Sequence, residues 1–338
     1  MRTFDRLIKK HIVALSIFSA ASAICAPTVA SAQQAVHFMM DFLPSGEYAA
    51  YYSGWTKGFW KEEGIDITIS RGYGSSDTVS KIANGAADFG VGDIGAVLTA
   101  RARAGAPVKA ISALYTYSPH SFFVLESSGI DTLNDLEGKR LGITPGNSHR
   151  IYFPEVAQRI GFPEDSVTWV NVDATAMGTL LIQKQIDAAP LYSMHYYYNN
   201  KAAQSAGESI KVLPYVETGF KIYSNAVFAS DSTIASRKEV VEAFLRGLQK
   251  SLNWAKDNQE EACKLHIEHV PGLPLDDCMG SLSVMLEHVF NEDSGRDGLG
   301  RFNPDQLAFT YETVAKAQDL DPAWDPQQAL DTGMLPPR

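Results

Sequence analysis

Acidic side chains follow three of the predicted β-strands, at positions where a ligand could reach them. Asp41 ends the first predicted strand, Asp93 lies in the turn after another, and Asp173 ends a third. In an open α/β sheet the loops after the strands open onto a common crevice, so these three carboxylates are predicted to surround one site. An ionised carboxylate only accepts hydrogen bonds, and the ligand should therefore carry donors, as an amino-pyrimidine does.

Uncharged polar residues extend this predicted site. His120 lies beside a proline at a predicted strand, Asn147 and Ser148 occupy the turn after the strand 140–143, and Asn225 begins a strand further on. An amide, a hydroxyl and an imidazole can each donate or accept hydrogen bonds, so these groups could orient a polar ligand.

An anionic ligand would need different residues. The nearest candidates are Arg150 and Lys221, with the backbone amides of residues 146–148. Three acids stand against these two bases, which favours a nitrogenous ligand over an anion.

Aromatic residues cluster near the predicted strand ends. The set comprises Phe42, Tyr48, Tyr51, Tyr52, Tyr73, Tyr115, Tyr117, Tyr192, Tyr196, Tyr197 and Tyr198. Aromatic rings can enclose a flat ligand and add about 0.5–1.5 kcal/mol per ring pair beyond the burial of area. We expect three or four of them to contact the ligand, among them Tyr48, Tyr117 and Tyr192.

The glycines Gly90, Gly92 and Gly95 match the dinucleotide-binding pattern G-x-G-x-x-G. A dinucleotide site also needs an acidic residue about 20 positions further on, and residues 110–117 contain none. The pattern is therefore interpreted as a tight turn that brings the backbone around Gly92 to a ligand. We predict no cofactor.

Nucleophilic catalysis is not predicted either. Ser148 and His149 are neighbours in sequence, which does not make a catalytic triad, and no G-x-S-x-G motif occurs. We assign no catalytic residue and predict that the chain is not an enzyme.

The elements that position these residues are clearest in residues 54–93. A helix ends at Gly64, a strand of alternating apolar and polar residues covers 65–69, a helix covers 76–83, and a second strand begins at Asp88. This order predicts a parallel βαβ unit.

The rest of the chain predicts a two-lobed α/β fold, each lobe a mostly parallel sheet flanked by helices. Lobe 1 is predicted to comprise residues 33–126 and 224–338, and lobe 2 residues 127–223. Two crossover segments, at 127–133 and 218–223, connect them.

The N-terminus has the pattern of a secretory signal peptide. A basic start precedes an apolar run from Ile12 to Ile24, which is too short to span a bilayer, and Ala30-Ser31-Ala32 is a small-residue cleavage site. Residues 1–32 are therefore predicted to be removed on export. The formal net charge of the whole chain is −10, and such an acidic surface argues against nucleic acid as a partner.

Two cysteines remain after cleavage, Cys263 and Cys278. An oxidising compartment favours a disulfide between them. A zinc site formed with His266 and His269 is the alternative that the spacing permits. The disulfide is favoured, and no metal is predicted.

Two stretches resemble a known family. They read G-x-x-x-G-F-W-x-x-E-G-I-D-I from Gly54 and I-A-N-G-A-A-D-F-G-V-G from Ile82. Further similarity lies at 133–143 and 225–230. These motifs resemble the extracytoplasmic substrate-binding proteins of ABC importers, in the group that binds thiamine-precursor pyrimidines, sulfonates, taurine and nitrate.

The resemblance implies a type II periplasmic binding protein, a monomer that closes on a small molecule by a hinge and delivers it to an inner-membrane ABC permease. A thiamine-precursor pyrimidine is the favoured ligand, and a sulfonate, taurine, nitrate or an aromatic carboxylate is the alternative. Thiamine-pyrimidine synthases share this fold and are a less favoured reading, because they are intracellular and use a cysteine-rich iron-binding segment.

Overall fold

The computed structural model of the protein describes residues 33–337. The predicted signal peptide, residues 1–32, lies outside the described residues and stays a prediction. None of the helices described between residues 33 and 337 combines the length and apolar character that crossing a bilayer requires.

The described residues form a mixed α/β fold whose C-terminal part, after β10, is helical. The strands are β1 (Gln34–Met39), β2 (Ile65–Ser70), β3 (Phe89–Asp93), β4 (Val108–Ala113), β5 (His120–Leu125), β6 (Arg140–Ile143), β7 (Thr168–Asn171), β8 (Ala189–Tyr192), β9 (Ile210–Pro214) and β10 (Asn225–Ser230). The α-helices are α1 (Ala49–Thr56), α2 (Phe59–Glu62), α3 (Ser75–Ala83), α4 (Ile94–Ala104), α5 (His149–Ile160), α6 (Met177–Ile182), α7 (Tyr196–Ser205), α8 (Asp231–Ser236), α9 (Lys238–Asp257), α10 (Gln259–His269), α11 (Leu275–Val289), α12 (Glu292–Asp297) and α13 (Pro304–Gln318). Short 3-10 turns at Gly46–Tyr48 and Ser193–His195 also bear on the site.

Sheet I has the strand order β2-β1-β3-β10-β4. Strands β1, β2 and β3 run parallel, whereas β10 is antiparallel to both of its neighbours. The predicted βαβ unit is confirmed, with β2, α3 and β3 in the expected places. The predicted return of the chain at Asn225 is also confirmed, because β10 pairs with β3 and β4.

Sheet II contains the strands β8-β5-β9, and a parallel pair, β6-β7, lies beside it. A single bridge between Leu141 and Ala188 connects β6 to β8. Strand β5 pairs antiparallel with β8 along one edge and with β9 along the other. The two sheets with their flanking helices confirm the predicted two-lobed α/β fold.

One detail of the predicted architecture is corrected. Strand β5 was expected in lobe 1, but it is hydrogen-bonded along both edges within sheet II, so the sheet changes between β4 and β5 rather than after residue 126. The predicted mostly parallel arrangement is confirmed, because β10 is the one strand of sheet I that runs against the other four. Likewise, β5 runs against β6, β7, β8 and β9, which share one direction. The wider division into lobes stays a prediction.

Helix α9 covers one side of sheet I with an apolar face. Phe244 of this helix stacks on Phe89 of β3, with ring centroids 4.0 Å apart, and also contacts Trp60. Trp60 donates a hydrogen bond from its indole nitrogen to the backbone oxygen of Phe244 at 3.0 Å. The buried stripe along α9 follows the helical period, as is typical of a helix that packs on a sheet with one face.

The C-terminal helices carry the predicted disulfide. Cys263 on α10 and Cys278 on α11 are bonded to each other and are buried. Because both thiols are used in this bond, the zinc alternative loses its two sulfur ligands. Closing a loop of about 15 residues stabilises the fold by roughly 3 kcal/mol in the chain-entropy account.

Candidate functional site

The loops after β1, β2, β6 and β8 meet between the two sheets and surround a small polar cavity, which we call the polar pocket. Its volume is about 30 Å³. The lining consists of Asp41, Phe42, Glu47, Tyr48, Gly74, Ser75, Asn147, Ser148, His149, Pro190, Leu191, Tyr192 and His195. Two carboxylates are present, and among the described lining residues there is no Lys or Arg.

Asp41 lies in the wall of the polar pocket with both carboxylate oxygens occupied. Its Oδ1 accepts a hydrogen bond from the Tyr48 hydroxyl at 2.8 Å, and its Oδ2 accepts one from the Ser75 hydroxyl at 2.9 Å. Burial, helped by the nearby carboxylate of Glu47, raises the pKa of Asp41 to about 7. Asp41 therefore forms part of the pocket wall, with both of its oxygens hydrogen-bonded to other side chains of the protein.

The contact between Glu47 and His195 connects the two sides of the pocket. Glu47 lies in the 3-10 turn after β1, and its Oε1 is 2.8 Å from Nε2 of His195, which follows β8. Both side chains are buried, and Oε2 of Glu47 and Nδ1 of His195 have no hydrogen-bond partner in the protein. Buried polar atoms are normally paired, so these two are the atoms best placed to take a ligand's hydrogen bonds.

Aromatic rings flank His195. The ring of Phe42 lies nearly parallel to the imidazole at a centroid distance of 5.6 Å, and that of Tyr192 at 6.1 Å. Tyr48 also lines the polar pocket. A flat ligand beside His195 would therefore find aromatic surfaces next to it.

Asp93 forms the base of a polar network behind the pocket. It caps α4 by accepting a hydrogen bond from the backbone nitrogen of Gly95, and it also accepts from the hydroxyls of Tyr152 and Ser224. Burial raises the pKa of Asp93 to about 6. Because its own carboxylate occupies the N-terminus of α4, that helix end is not available to a ligand.

His120 completes this network. Its Nδ1 is 2.7 Å from the Ser118 hydroxyl and its Nε2 is 2.9 Å from that of Ser148, while Asp93 lies 3.7 Å away. Burial, with smaller contributions from His149 and His288, lowers the pKa of His120 well below 6.5. The imidazole is therefore neutral at physiological pH, and both of its nitrogens are occupied.

Tyr192 joins the network to the pocket. Its hydroxyl donates to Oδ1 of Asn225 at 3.0 Å and lies 3.3 Å from the Ser148 hydroxyl. Tyr192 and Ser148 line the pocket, whereas Asn225 supports Tyr192 from behind. These three predicted site residues are thus brought together across the two sheets.

Asn147 positions His149 at the start of α5. Its Oδ1 accepts from the backbone nitrogen of His149 and lies 2.7 Å from Nδ1 of that ring. Burial lowers the pKa of His149 to about 3. Asn147 and His149 both line the pocket.

The glycines of the G-x-G-x-x-G pattern allow close packing. A Cβ on Gly92 would lie 3.2 Å from Ser75 and 3.3 Å from Asp41, and one on Gly95 would lie 2.3 Å from the Tyr152 hydroxyl. Gly92 therefore lies directly behind the pocket, and its lack of a side chain lets the Asp41–Ser75 pair approach β3.

Two predicted ligand-binding residues lie away from the polar pocket. Tyr117 packs on His288 with ring centroids 4.1 Å apart, because the chain turns toward α11 after β4. Asp173 is exposed and accepts hydrogen bonds from Thr175, stabilising the turn before α6. Asp173 lines a separate cleft on the far side of the 146–147 turn. The structure does not bring these two residues into the pocket.

A second cavity, which we call the apolar cavity, adjoins the polar pocket and has a volume of about 360 Å³. The two share Phe42, Leu191 and His195 as a common wall. The cavity lies between the loop after β1, the helices α6 and α7, and the loop between α10 and α11. Among the described residues, its lining includes no Asp, Glu, Lys or Arg.

Sequence reasoning missed several residues of the site. Glu47 and Ser75 follow strand ends, which was the signal used for the other candidates, but neither was selected. Tyr152, His195 and Ser224 belong to helices, turns or loops, and only the fold brings them to the strand ends.

Comparison with known proteins identifies the fold and the family of this chain. The fold is that of periplasmic binding proteins: the alkanesulfonate-binding protein SsuA from Xanthomonas axonopodis pv. citri, solved with MOPS, matches with a TM-score of 0.68 over 89% of this chain and 98% of that one, at 16% identity. The chain belongs to the NMT1/THI5-like family, which matches residues 45–262.

Two relatives differ in the role that their names give. The riboflavin-binding protein RibY of Chloroflexus aurantiacus is 27% identical, with 99% of this chain and 97% of that protein covered. The 4-amino-5-hydroxymethyl-2-methylpyrimidine phosphate synthase of Legionella pneumophila is 25% identical, with 72% of this chain and 78% of that protein covered. One relative is thus named as a binding protein and the other as an enzyme.

Proposed function

We propose that this protein is the extracytoplasmic solute-binding component of an ABC importer. It would reach the periplasm through the signal peptide predicted at 1–32, act as a monomer, and deliver its ligand to an inner-membrane permease. Three findings support this role: the periplasmic-binding-protein fold, a relative named as a riboflavin-binding protein over nearly its whole length, and a pocket between the two sheets.

The ligand is an uncharged or cationic planar nitrogen heterocycle with N–H donors. The observation that carries this assignment is the buried Glu47–His195 pair, whose Oε2 and Nδ1 have no partner in the protein. An amino-pyrimidine of the thiamine-precursor type is the favoured ligand, because its ring would lie beside Phe42 and Tyr192 and its amino group could donate to Glu47. A flavin ring satisfies the same requirements.

Sulfonate, taurine, nitrate and aromatic carboxylates fit this pocket less well. Their negative charge would face the carboxylates of Glu47 and Asp41 without a Lys or Arg among the described lining residues. Bringing an anion into a buried site without a cationic partner costs several kcal/mol. The alternative ligands of the resemblance are therefore ranked below the heterocycle.

Closure of the two halves explains how the protein would hold its ligand. Asp41, Glu47 and Tyr48 come from sheet I, whereas Ser148 and Tyr192 come from the sheet II side. A ligand that contacts both sets binds the closed form more tightly, and this difference in affinity shifts the equilibrium toward closure.

The enzyme reading is supported by the pyrimidine synthases among the relatives, at 23–25% identity. It makes a different demand, since a synthase must release a product that differs from its ligand. Incubation of the purified chain with its ligand, followed by mass spectrometry, separates the two: a binding protein returns the ligand unchanged.

A thermal-shift screen tests the ligand class. The panel consists of 4-amino-5-hydroxymethyl-2-methylpyrimidine, lumichrome, taurine, nitrate and benzoate, with residues 33–338 as the protein. A ligand at about 100 times its Kd stabilises the native state by about 2.7 kcal/mol, so a heterocycle should raise Tm by several degrees. Stabilisation by the anions alone would contradict the proposed ligand class.

The substitution Glu47→Gln tests the assigned contact. The amide is nearly the same size but is a weaker acceptor for a donor N–H, so we expect affinity for the bound heterocycle to fall by about tenfold, which is 1.4 kcal/mol. Glu268→Gln is the matched control, because Glu268 is exposed on α10. Titration calorimetry on both variants gives the answer. Equal affinities would remove Glu47 from the site.

A further inference from the structure

The apolar cavity shares a wall with the polar pocket, and nothing in the roles described so far uses it. We propose that it is a second compartment of the ligand site and that it takes the body of a fused-ring, uncharged nitrogen heterocycle. This inference rests on the proposed function and extends its ligand class from the single-ring amino-pyrimidine to heterocycles with more than one ring.

Volume is the first argument. The polar pocket, at about 30 Å³, has room for about two or three water molecules, since a water needs roughly 10–15 Å³ of such space. The apolar cavity, at about 360 Å³, falls within the range of roughly 300–1,000 Å³ found for small-molecule sites. A ring system therefore fits in the apolar cavity, with only its polar edge reaching the polar pocket.

The chemistry of the lining is the second argument. Met177 of α6, Tyr198 of α7 and Leu273 of the loop before α11 supply apolar and aromatic surface. The described lining residues include no Asp, Glu, Lys or Arg. The compartment therefore offers no carboxylate, ammonium or guanidinium partner to an ionised group. Desolvating a charge there would cost several kcal/mol, so an uncharged ring body is favoured.

His195 joins the two compartments and sets the orientation of the ligand. It lines both cavities, is 8% exposed, and holds Glu47 through Nε2. An imidazole that donates from Nε2 to a carboxylate has an acceptor at Nδ1 when it is neutral, and this Nδ1 has no protein partner. The ring should therefore point an N–H edge at His195 and its apolar body away from the carboxylates.

The test fills the apolar cavity without touching the polar pocket. Ala202 lies on the exposed side of α7 in the cavity wall, so Ala202→Trp places an indole in the space proposed for the ring. Gln204→Trp puts the same side chain at an exposed position of α7 outside the lining and is the control. The probes are lumichrome, with three fused rings, and 4-amino-5-hydroxymethyl-2-methylpyrimidine, with one.

We expect lumichrome to bind the wild-type protein, Ala202→Trp to weaken it by about tenfold or more, and Gln204→Trp to leave it within about twofold. Binding of the single-ring probe should differ by less than about threefold among all three proteins. If only the single-ring probe binds, the proposed function stands and the second compartment is wrong. If lumichrome binds equally to both Trp variants, the compartment is also wrong, and if neither probe binds the wild type, the proposed ligand class itself fails.

Discussion

At the residue scale, the site is defined by which buried polar atoms the protein leaves without partners. Asp41 and Asp93 are buried carboxylates that hydroxyl and backbone donors already satisfy. Glu47 and His195 share one hydrogen bond and keep one atom each unpaired. An unpaired buried polar group costs free energy, so the ligand that pairs with it gains the difference on binding.

The buried carboxylate of Asp41 predicts a pH dependence of stability. Its pKa is raised from 3.8 to about 7 in the folded protein. The folded state thus binds more protons than the unfolded state between these values, and the contribution of Asp41 to stability falls as pH rises through this window. Asp41→Asn removes this loss. The free energy of unfolding of the variant, relative to that of the wild type, should therefore rise by roughly 1–3 kcal/mol between about pH 5 and pH 8.

Urea unfolding of both proteins at each pH measures this gain. Histidines with lowered pKa, such as His149, give a slope of the opposite sign below 6.5, but they are present in both proteins and cancel in the difference. The exposed Asp173→Asn variant is the control and should show no such gain. A difference that is constant with pH would mean that Asp41 is not held in a desolvated site.

The site residues also show how far sequence reasoning reaches at this scale. Proximity to a strand end suggested Asp41, Ser148 and Tyr192, and these three line the polar pocket because the ends of neighbouring strands meet wherever a sheet forms. It also suggested Asp93, whose oxygens are in fact satisfied by Tyr152 and Ser224, 59 and 131 residues away. Such partners depend on the complete fold, so sequence alone could not separate a supporting carboxylate from an available one.

At the element scale, two loops make a close contact between the two sides of the molecule. Gly74, before α3, and Gly146, before α5, pack so tightly that a Cβ on Gly74 would lie 2.7 Å from the carbonyl oxygen of Gly146. The backbone nitrogen of Ser76 also donates to that oxygen at 3.1 Å. These contacts hold the loop after β2 against the loop after β6 at the edge of the polar pocket.

Gly74→Ala should therefore hinder closure. Gly74 has φ +125°, so the variant also strains the backbone, and Gly85→Ala is the control because Gly85 has φ +74° and no atom within 4 Å of the added Cβ. Both variants should lose about 1 kcal/mol or more of stability. Only Gly74→Ala should weaken heterocycle binding, by about tenfold.

Small-angle scattering of the unliganded variants separates closure from direct contact with the ligand. A compact chain of this length has a radius of gyration of about 19 Å. The radius of gyration of Gly74→Ala should be larger than that of the wild type and that of the Gly85→Ala control. Identical radii and identical affinities for the two variants would show that this loop contact does not control closure.

Elements were predicted well where local signals decide them. The helix predicted at 76–83 agrees with α3, and Gly64, where the preceding helix was predicted to end, has a φ of +78° that favours glycine. The sheet that contains β5 was not predicted, since strand partners depend on residues far away in sequence.

At the scale of the whole molecule, the described chain is two sheets that meet through the polar pocket. Contacts across this junction include Glu47 with His195 and the Ser281 hydroxyl with the Met194 backbone oxygen at 2.8 Å. An apolar cluster also crosses the junction, because Val97 of α4 and Val314 of α13 belong to the same buried core as Val156 of α5. We therefore expect hinge closure to move the polar contacts around the pocket while this shared core stays packed.

Amide hydrogen exchange, followed by mass spectrometry with and without a bound heterocycle from the thermal-shift panel, tests the central claim most directly. Ligand held between the two sheets should slow exchange in three segments that are far apart in sequence, 41–48, 147–149 and 190–195, because closure buries their backbone together. Residues 305–318 of α13, outside the polar pocket and the apolar cavity, should exchange at the same rate in both states. Slowed exchange confined to one side of the junction, or located away from these three segments, would contradict the account.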